Sequence, residues 1–380
     1  MKKIIYFINR IDLPGGMEKV LTIKANYLVE KFNYDVVIVT MNSYGNQPFF
    51  NLNKKIRLYD LQLQNNFRKG LFNRILKRNQ VTSQEHFEKV KEIIFNEKPD
   101  FCISLFSNDL YFLYKIKDGS KKIIEFHNSR QSFLIESGKG ISRIIRIFYR
   151  KQLLKKLEKI ILKYDQFVCL TEEDYIAWGK LENSCYIYNP FFFEIQEKSA
   201  DHSNKTILSV GRIHYQKGFD LLIDIWEKIE KRFPDWNLKI VGRREGVKDN
   251  LDEIIEKKNL KRIEVISATK DIQKYYYESS LYVSTSRYEG FPLTLLEAQS
   301  CGLPIVAFRT PTGPSEIIKD NEDGLLATYL DEQDLADKLM ILMKDEEKRR
   351  EFGVKAKENV KRFSIDKIMK NWDSLFNQLN

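Results

Sequence analysis

Short runs rich in β-branched and aromatic residues alternate with longer amphipathic stretches along this chain, and the alternation stops and then starts again. Such a pattern is the signature of parallel strands joined by helical crossovers, and its restart predicts two sheets. In the first half the expected strands are residues 3–8, 35–40, 56–59, 101–105, 122–126, 167–170 and 185–187, with helical periodicity between them, for example at 17–31 and 85–96. Residues 194–204, just after Asn189-Pro190, offer no apolar stripe, and proline ends regular pairing, so a domain boundary falls there. The second half resumes with strands expected at 206–210, 237–241, 263–266, 281–284 and 304–308. Helices are expected at 218–231, 249–258, 272–279, 292–300, 331–343, 346–361 and 365–379.

A length of 380 residues exceeds what one core usually organises, which favours two domains independently. The expected class is α/β, two Rossmann-like doubly wound domains. Sheets of this kind bind ligands beyond the C-terminal ends of their strands. Two of them facing an interdomain cleft would make an enzyme acting between domains.

Lys and Arg outnumber Asp and Glu by 63 to 53, and the excess is local: residues 1–190 carry 32 basic and 20 acidic residues, the remainder 31 and 33. Residues 67–78 hold five cations, Arg68, Lys69, Arg74, Lys77 and Arg78, among Phe67, Leu71, Phe72 and Ile75. Residues 139–163 hold nine basic residues and one acidic, Glu158. On a helical wheel Ile141, Ile144, Ile145 and Phe148 share one side, and after Lys151 the apolar side shifts to Leu153, Leu154, Leu157, Ile160 and Ile161. One straight helix cannot bury both stripes, so a break near Arg150 is expected. Anionic lipid attracts each such cation by on the order of 1 kcal/mol, which points to peripheral attachment at the inner face of the cell membrane. Nucleic acid is the rival partner. No RRM, helix-turn-helix or zinc pattern is present, so none is expected.

No apolar run approaches the roughly 18 residues that span a bilayer, and Asn9, Arg10 and Asp12 interrupt the signal-like start. A cytoplasmic location is the expectation. Cys102, Cys169, Cys185 and Cys301 lie in apolar contexts without C-x-x-C spacing and read as reduced core thiols.

Two segments carry the chemistry. Gly211-Arg212-Ile213-His214-Tyr215-Gln216-Lys217-Gly218 follows the first strand of the second domain and opens a helix. A fixed guanidinium and a mobile ammonium at this spacing suit the two phosphates of a diphosphate. Glu289-Gly290-Phe291-Pro292-Leu293-Thr294-Leu295-Leu296-Glu297 follows a later strand. Pro292 fits a first helical turn, whose N–H groups near Leu293 and Thr294 would meet phosphate oxygens. Glu289 precedes that helix, and Glu297 sits inside it in an apolar stretch where a carboxylate is costly unless it is bound. A carboxylate accepts two hydrogen bonds from adjacent hydroxyls, so a ribose or hexose is a natural partner.

Together these motifs resemble the retaining glycosyltransferases of family 4, which have the GT-B fold, and the resemblance runs along nearly the whole chain. Supporting matches are Leu13-Pro14-Gly15-Gly16-Met17-Glu18-Lys19, Tyr188-Asn189-Pro190, Gly313-Pro314-Ser315-Glu316-Ile317-Ile318 and Asp323-Gly324-Leu325-Leu326. The resemblance implies an acceptor-side domain at 1–190, a donor-binding domain at 191–363, and a terminal helix at 364–380 packing back toward the first. It implies that Arg212 and Lys217 hold the donor diphosphate, that Glu297 holds the ribose and that Glu289 contacts the transferred sugar, with Gly211, Gly290, Phe291, Leu293 and Thr294 around them. Gly16 would approach the distal phosphate, and His127, in Glu125-Phe126-His127-Asn128, the sugar and the transferred bond. Gly242, Arg243 and Thr269 fall where the nucleobase is held. Arg243 departs from the acidic or small residue often found there.

The implied activity is transfer of a sugar, with retention, from a nucleotide-diphosphate donor to a lipid-linked or growing bacterial surface glycan such as lipopolysaccharide, capsule or exopolysaccharide. UDP-sugar is the favoured donor and a saccharide or polyprenyl-linked acceptor the favoured partner. No DxD-like pair follows a strand, and the two cations can offset the diphosphate charge, so neither metal nor cofactor is expected. A sugar phosphorylase, a UDP-sugar epimerase, and a basic nucleic-acid- or lipid-binding protein are the alternatives.

Overall fold

The computed structural model describes residues 1–63, 84–135, 141–191, 193, 195–244 and 250–380. The cationic run at 67–78 lies outside these. The chain folds into two compact units: Met1–His127 with Glu136–Pro190 and Asp366–Asn380, and Asn128–Ile135 with Phe191–Ile365.

The first unit is built on β1 (Lys3–Ile8), β2 (Asp35–Thr40), β3 (Arg57–Asp60), β4 (Phe101–Ser104), β5 (Lys121–Phe126), β6 (Gln166–Cys169) and β7 (Ser184–Tyr186). These pair in the order β3-β2-β1-β4-β5-β6-β7, every pair parallel. Helices α1 (Gly16–Lys31), α2 (Gln84–Glu97), α3 (Ile141–Ile161) and α4 (Glu172–Ala177) lie between them in sequence. Strands covered on both faces read as unbroken apolar runs, and Ile4 to Ile8 are accordingly all buried.

The second unit repeats the scheme with β8 (Thr206–Val210), β9 (Asn237–Gly242), β10 (Ile263–Ser267), β11 (Leu281–Ser284), β12 (Ile305–Phe308) and β13 (Gly324–Ala327). They pair in parallel in the order β10-β9-β8-β11-β12-β13. Its helices are α5 (Phe219–Glu230), α6 (Leu251–Lys257), α7 (Ile272–Tyr277), α8 (Leu293–Ser300), α9 (Pro314–Ile317), α10 (Glu332–Lys344) and α11 (Glu346–Asn359). Phe219, Leu222, Ile223, Trp226 and Ile229 of α5 pack with Leu335, Leu339 and Leu342 of α10 into one core.

Strand order reverses beside β1 in the first sheet and beside β8 in the second, and ligands of such sheets bind beyond the C-terminal strand ends at these switch points. The loops leaving β8 and β11 carry the two motifs.

Three local features differ from expectation. Helix α3 is continuous where a break near Arg150 was expected: Leu154, Leu157 and Ile161 are inside, while Phe148 and Tyr149 stand exposed, so these two need no second buried face. Strand β13 was not foreseen. The helix expected at 346–361 ends at Asn359 and tightens into a 3-10 turn, Val360–Phe363.

The chain ends in α12 (Ile365–Leu379), which buries Ile368, Met369, Trp372, Leu375 and Phe376. Phe376 packs 4.8 Å from the Phe101 ring of β4, and the Tyr34 hydroxyl donates to Asp373.

Candidate active site

The backbone turns immediately after β8. Gly211 N–H donates to Val241 O at 3.0 Å and Ile213 N–H to Arg243 O at 2.8 Å, so the loop stays pinned beside the end of β9. Gly242 permits this, since a Cβ there would stand 1.8 Å from Gly211 O. One 3-10 turn, Tyr215–Lys217, follows, with His214 Nδ1 accepting from Gln216 N–H at 3.3 Å. Gly218 then takes the left-handed conformation at φ +64°, and a Cβ on it would meet Thr285 O at 2.2 Å.

Position 285 belongs to the loop leaving β11, and the two loops are latched together. The Thr285 hydroxyl donates to Gly218 O at 2.9 Å, Arg287 N–H to Gln216 O at 2.7 Å, and Arg287 Nη1 to Tyr215 O at 2.7 Å. The same guanidinium pairs with both carboxylate oxygens of Asp220, at 2.8 and 2.6 Å. In return Gln216 Nε2 donates to Tyr288 O at 3.0 Å. This latch was not foreseen; its only sequence sign is a cation, Arg287, directly before Tyr288-Glu289-Gly290.

The latch brings the two motifs into contact. Lys217 Nζ lies 2.7 Å from Glu289 Oε1, both side chains largely buried, with the lysine stem passing over Gly211. Arg212 stands exposed at the same loop, its Nη2 3.3 Å from Gln216 Oε1. Glu289 O accepts from the Thr312 hydroxyl at 2.6 Å, and Phe291 meets Phe363 edge-on at 5.3 Å.

Helix α8 starts one residue later than expected. Pro292 is its extended cap and not its first helical residue, and no side chain caps the turn that begins at Leu293 and Thr294. First-turn N–H groups have no partner within a helix, so this end attracts anions. One face of α8 carries Glu297, buried, whose Oε2 accepts from the Tyr276 hydroxyl at 2.8 Å. Tyr276 stacks on Tyr282, whose hydroxyl donates to Val210 O at 3.2 Å. A buried carboxylate thus has a fixed orientation beside the end of β8. Arg243 and Thr269 are exposed beyond the ends of β9 and β10, where Thr269 Oγ1 accepts from Asp271 N–H at 3.1 Å.

In the first unit Gly16 opens α1 and is exposed. Its neighbour Gly15 makes room for Glu18, whose Oε2 would stand 2.0 Å from a Cβ there. His127 follows β5, with Nε2 3.1 Å from Glu125 Oε1. Burial pushes the Glu125 carboxyl upward, but Lys24 and His127 outweigh it and hold the group at about 2. Among the described residues no group of three or more His, Cys, Asp or Glu has the arrangement of a metal site. All four thiols are free, and burial raises each of them out of the reactive range.

Residues 191–359 match the family model described as glycosyl transferases group 1. An uncharacterized glycosyltransferase of Haemophilus influenzae is 31% identical over 99% of this chain and 100% of its own length. The amylovoran biosynthesis glycosyltransferase AmsD of Erwinia amylovora is 28% identical, again over 99% of this chain and 100% of its own. Among solved structures, a TarM variant from S. aureus in complex with Fondaparinux, alpha-GlcNAc-glycerol and UDP aligns with a TM-score of 0.77 at 19% identity. That alignment covers 99% of this chain and 100% of the other, and the shared architecture is the GT-B fold.

Proposed function

The chain belongs to the group 1 glycosyl transferases, and from that membership we propose that it is a retaining, family 4 enzyme that transfers a sugar from UDP to a glycan acceptor. The observation that carries the reading is the contact of Lys217 with Glu289 at 2.7 Å, which joins a cation suited to a diphosphate with a carboxylate suited to a sugar. Arg212 and Lys217 take the diphosphate, assisted by the N–H groups opening α8. Glu297, oriented by Tyr276, takes the ribose hydroxyls, and Gly242, Arg243 and Thr269 lie toward the base. His127 is assigned to the transferred sugar and Gly16 to the distal phosphate. UDP in the TarM complex supports the choice of nucleotide.

In the proposed step the bond from the anomeric carbon to the diphosphate oxygen breaks and a bond to the acceptor oxygen forms on the same face of the ring. The acceptor proton passes to the departing phosphate. Charge builds on the diphosphate as the bond breaks, and Arg212 and Lys217 are placed to stabilise it without a metal. The acceptor is a lipid-linked or growing surface glycan, a class consistent with the amylovoran enzyme. Among the described residues no helix is long and apolar enough to cross a membrane. Attachment to anionic lipid is assigned to the cations of the first half, helped by Phe148 and Tyr149 of α3.

The test is release of free UDP from a UDP-sugar only when acceptor is present, unaffected by EDTA. Arg212→Ala and Lys217→Ala should each remove about 2 to 4 kcal/mol of transition-state stabilisation while the melting temperature holds. Near-normal turnover in both variants rejects the assignment, and activity lost in EDTA and restored by magnesium or manganese rejects the metal-free step.

A further inference from the structure

A polar trio sits inside the first unit where apolar side chains would fit. Lys24 lies on α1 among Val20, Leu21, Ala25 and Leu28 and is fully buried. Its Nζ stands 2.6 Å from both carboxylate oxygens of Glu125, 3.6 Å from the centre of the Trp372 ring of α12 and 5.8 Å from that of Tyr6. Glu125 Oε1 is in turn 3.1 Å from His127 Nε2, a buried nitrogen whose N–H is not aligned as a hydrogen bond. Residues two apart along an extended chain share a face, which is how the imidazole comes to lie over the carboxylate.

Stability gives little reason for this arrangement. Taking an ammonium and a carboxylate out of water costs about as much as their attraction returns, and apolar residues of equal volume commonly replace such pairs without loss. The pair instead provides a carboxylate that cannot turn: both oxygens are held by one ammonium, and that ammonium is held against an indole face. The imidazole that lies beside this fixed charge, His127, is the one assigned to the transferred sugar.

We infer that Glu125 and Lys24 are positioning residues for His127, and that Trp372 of the C-terminal helix completes the support. Glu125 sets the direction of the imidazole, Lys24 sets the direction of Glu125, and Trp372 closes the site behind Lys24. The inference rests on the assignment of His127 to the transfer reaction.

Removing one member alone strands a buried charge, so the test removes both. Lys24→Met combined with Glu125→Gln keeps volume and leaves no net charge behind. Turnover is read as UDP released from whichever of UDP-glucose, UDP-galactose and UDP-N-acetylglucosamine the wild type uses fastest, with a polyprenyl-diphosphate-linked sugar as acceptor. The double variant should keep its melting temperature and its KM for the donor within about twofold, while kcat falls about tenfold. Placed on top of His127→Ala, the same double change should cost nothing more. Trp372→Leu should lower kcat about threefold, again only when His127 is present, and Trp372→Phe should restore it. Wild-type kcat in the double variant, or an equal loss with and without His127, overturns the inference. Wild-type turnover in His127→Ala alone instead overturns the assignment beneath it, and the two failures are distinct.

Discussion

The carbonyl oxygen of Gly211 occupies the space that a Cβ at position 242 would need, at 1.8 Å. Both partners are backbone at the ends of adjacent strands, so neither can swing aside. Gly242→Ala must therefore lift the 211–218 loop from the sheet, and Arg212 and Lys217 move with it. The expected cost is about 1 to 3 kcal/mol, read as a lower melting temperature together with weaker UDP binding by calorimetry. A variant that melts and binds like wild type would show that the loop tolerates displacement. Asp109 makes a separate prediction. It is buried, the Ser107 hydroxyl donates to it, and burial lifts its pKa to about 6. The folded value lies above the ordinary one near 3.9, so the folded state binds the proton more tightly, and stability declines as pH rises through this window. Asp109→Asn keeps an acceptor for Ser107 and removes the charge. It should raise the melting temperature at pH 8 and leave it unchanged near pH 4; an equal gain at both values contradicts the assignment.

Helix α3 holds together although its apolar side changes midway, because a helix needs an apolar face only along the stretch that is buried. Leu157 is inside, whereas Phe148 is 65% exposed beside Arg150 and Lys151. Leu157→Ala should cost about 2 to 5 kcal/mol. Phe148→Ser with Tyr149→Ser should stay within about half a kcal/mol of wild type, yet reduce co-sedimentation with phosphatidylglycerol vesicles if the proposed membrane contact includes α3. Unchanged sedimentation places the contact elsewhere. The same logic explains which elements can be read from sequence. Buried parallel strands announce themselves as runs such as Ile4-Ile5-Tyr6-Phe7-Ile8. Strand β13, Gly324-Leu325-Leu326-Ala327, contains no β-branched residue and exists because Gly324 can pair beside Ile305, whose oxygen would stand 2.5 Å from a Cβ there. Motif residues such as Lys217 and Glu289 are legible from spacing. Tyr276 is not, because within Tyr275-Tyr276-Tyr277 only tertiary packing decides which hydroxyl meets Glu297. Lys24 and Glu125 are likewise 101 residues apart, and each alone looks like a solvated charge.

The chain leaves its first unit at Pro190 and returns to it at Asp366, so the core of that unit is completed by a helix distant in sequence from its sheet. Helix α12 buries Trp372 and Phe376 there, and its loss would uncover Phe101 and remove the indole face from Lys24. Buried aromatic side chains of this size contribute about 3 to 5 kcal/mol each when deleted. Removal of 366–380 should therefore lower the melting transition of the first unit by a large margin and abolish turnover. Apart from Gly16, the residues assigned to UDP, Arg212, Lys217 and Glu297 with Gly242, Arg243 and Thr269, belong to the second unit, whose strands run from Thr206 to Ala327 without α12. Calorimetry should accordingly show UDP binding to the shortened chain at a Kd within about threefold of wild type, since a binding free energy changes little when a single backbone contact, that of Gly16, is at stake. Loss of UDP binding together with α12 would mean that the nucleotide depends on the first unit as well, and the division of labour drawn from the two motifs would have to be abandoned.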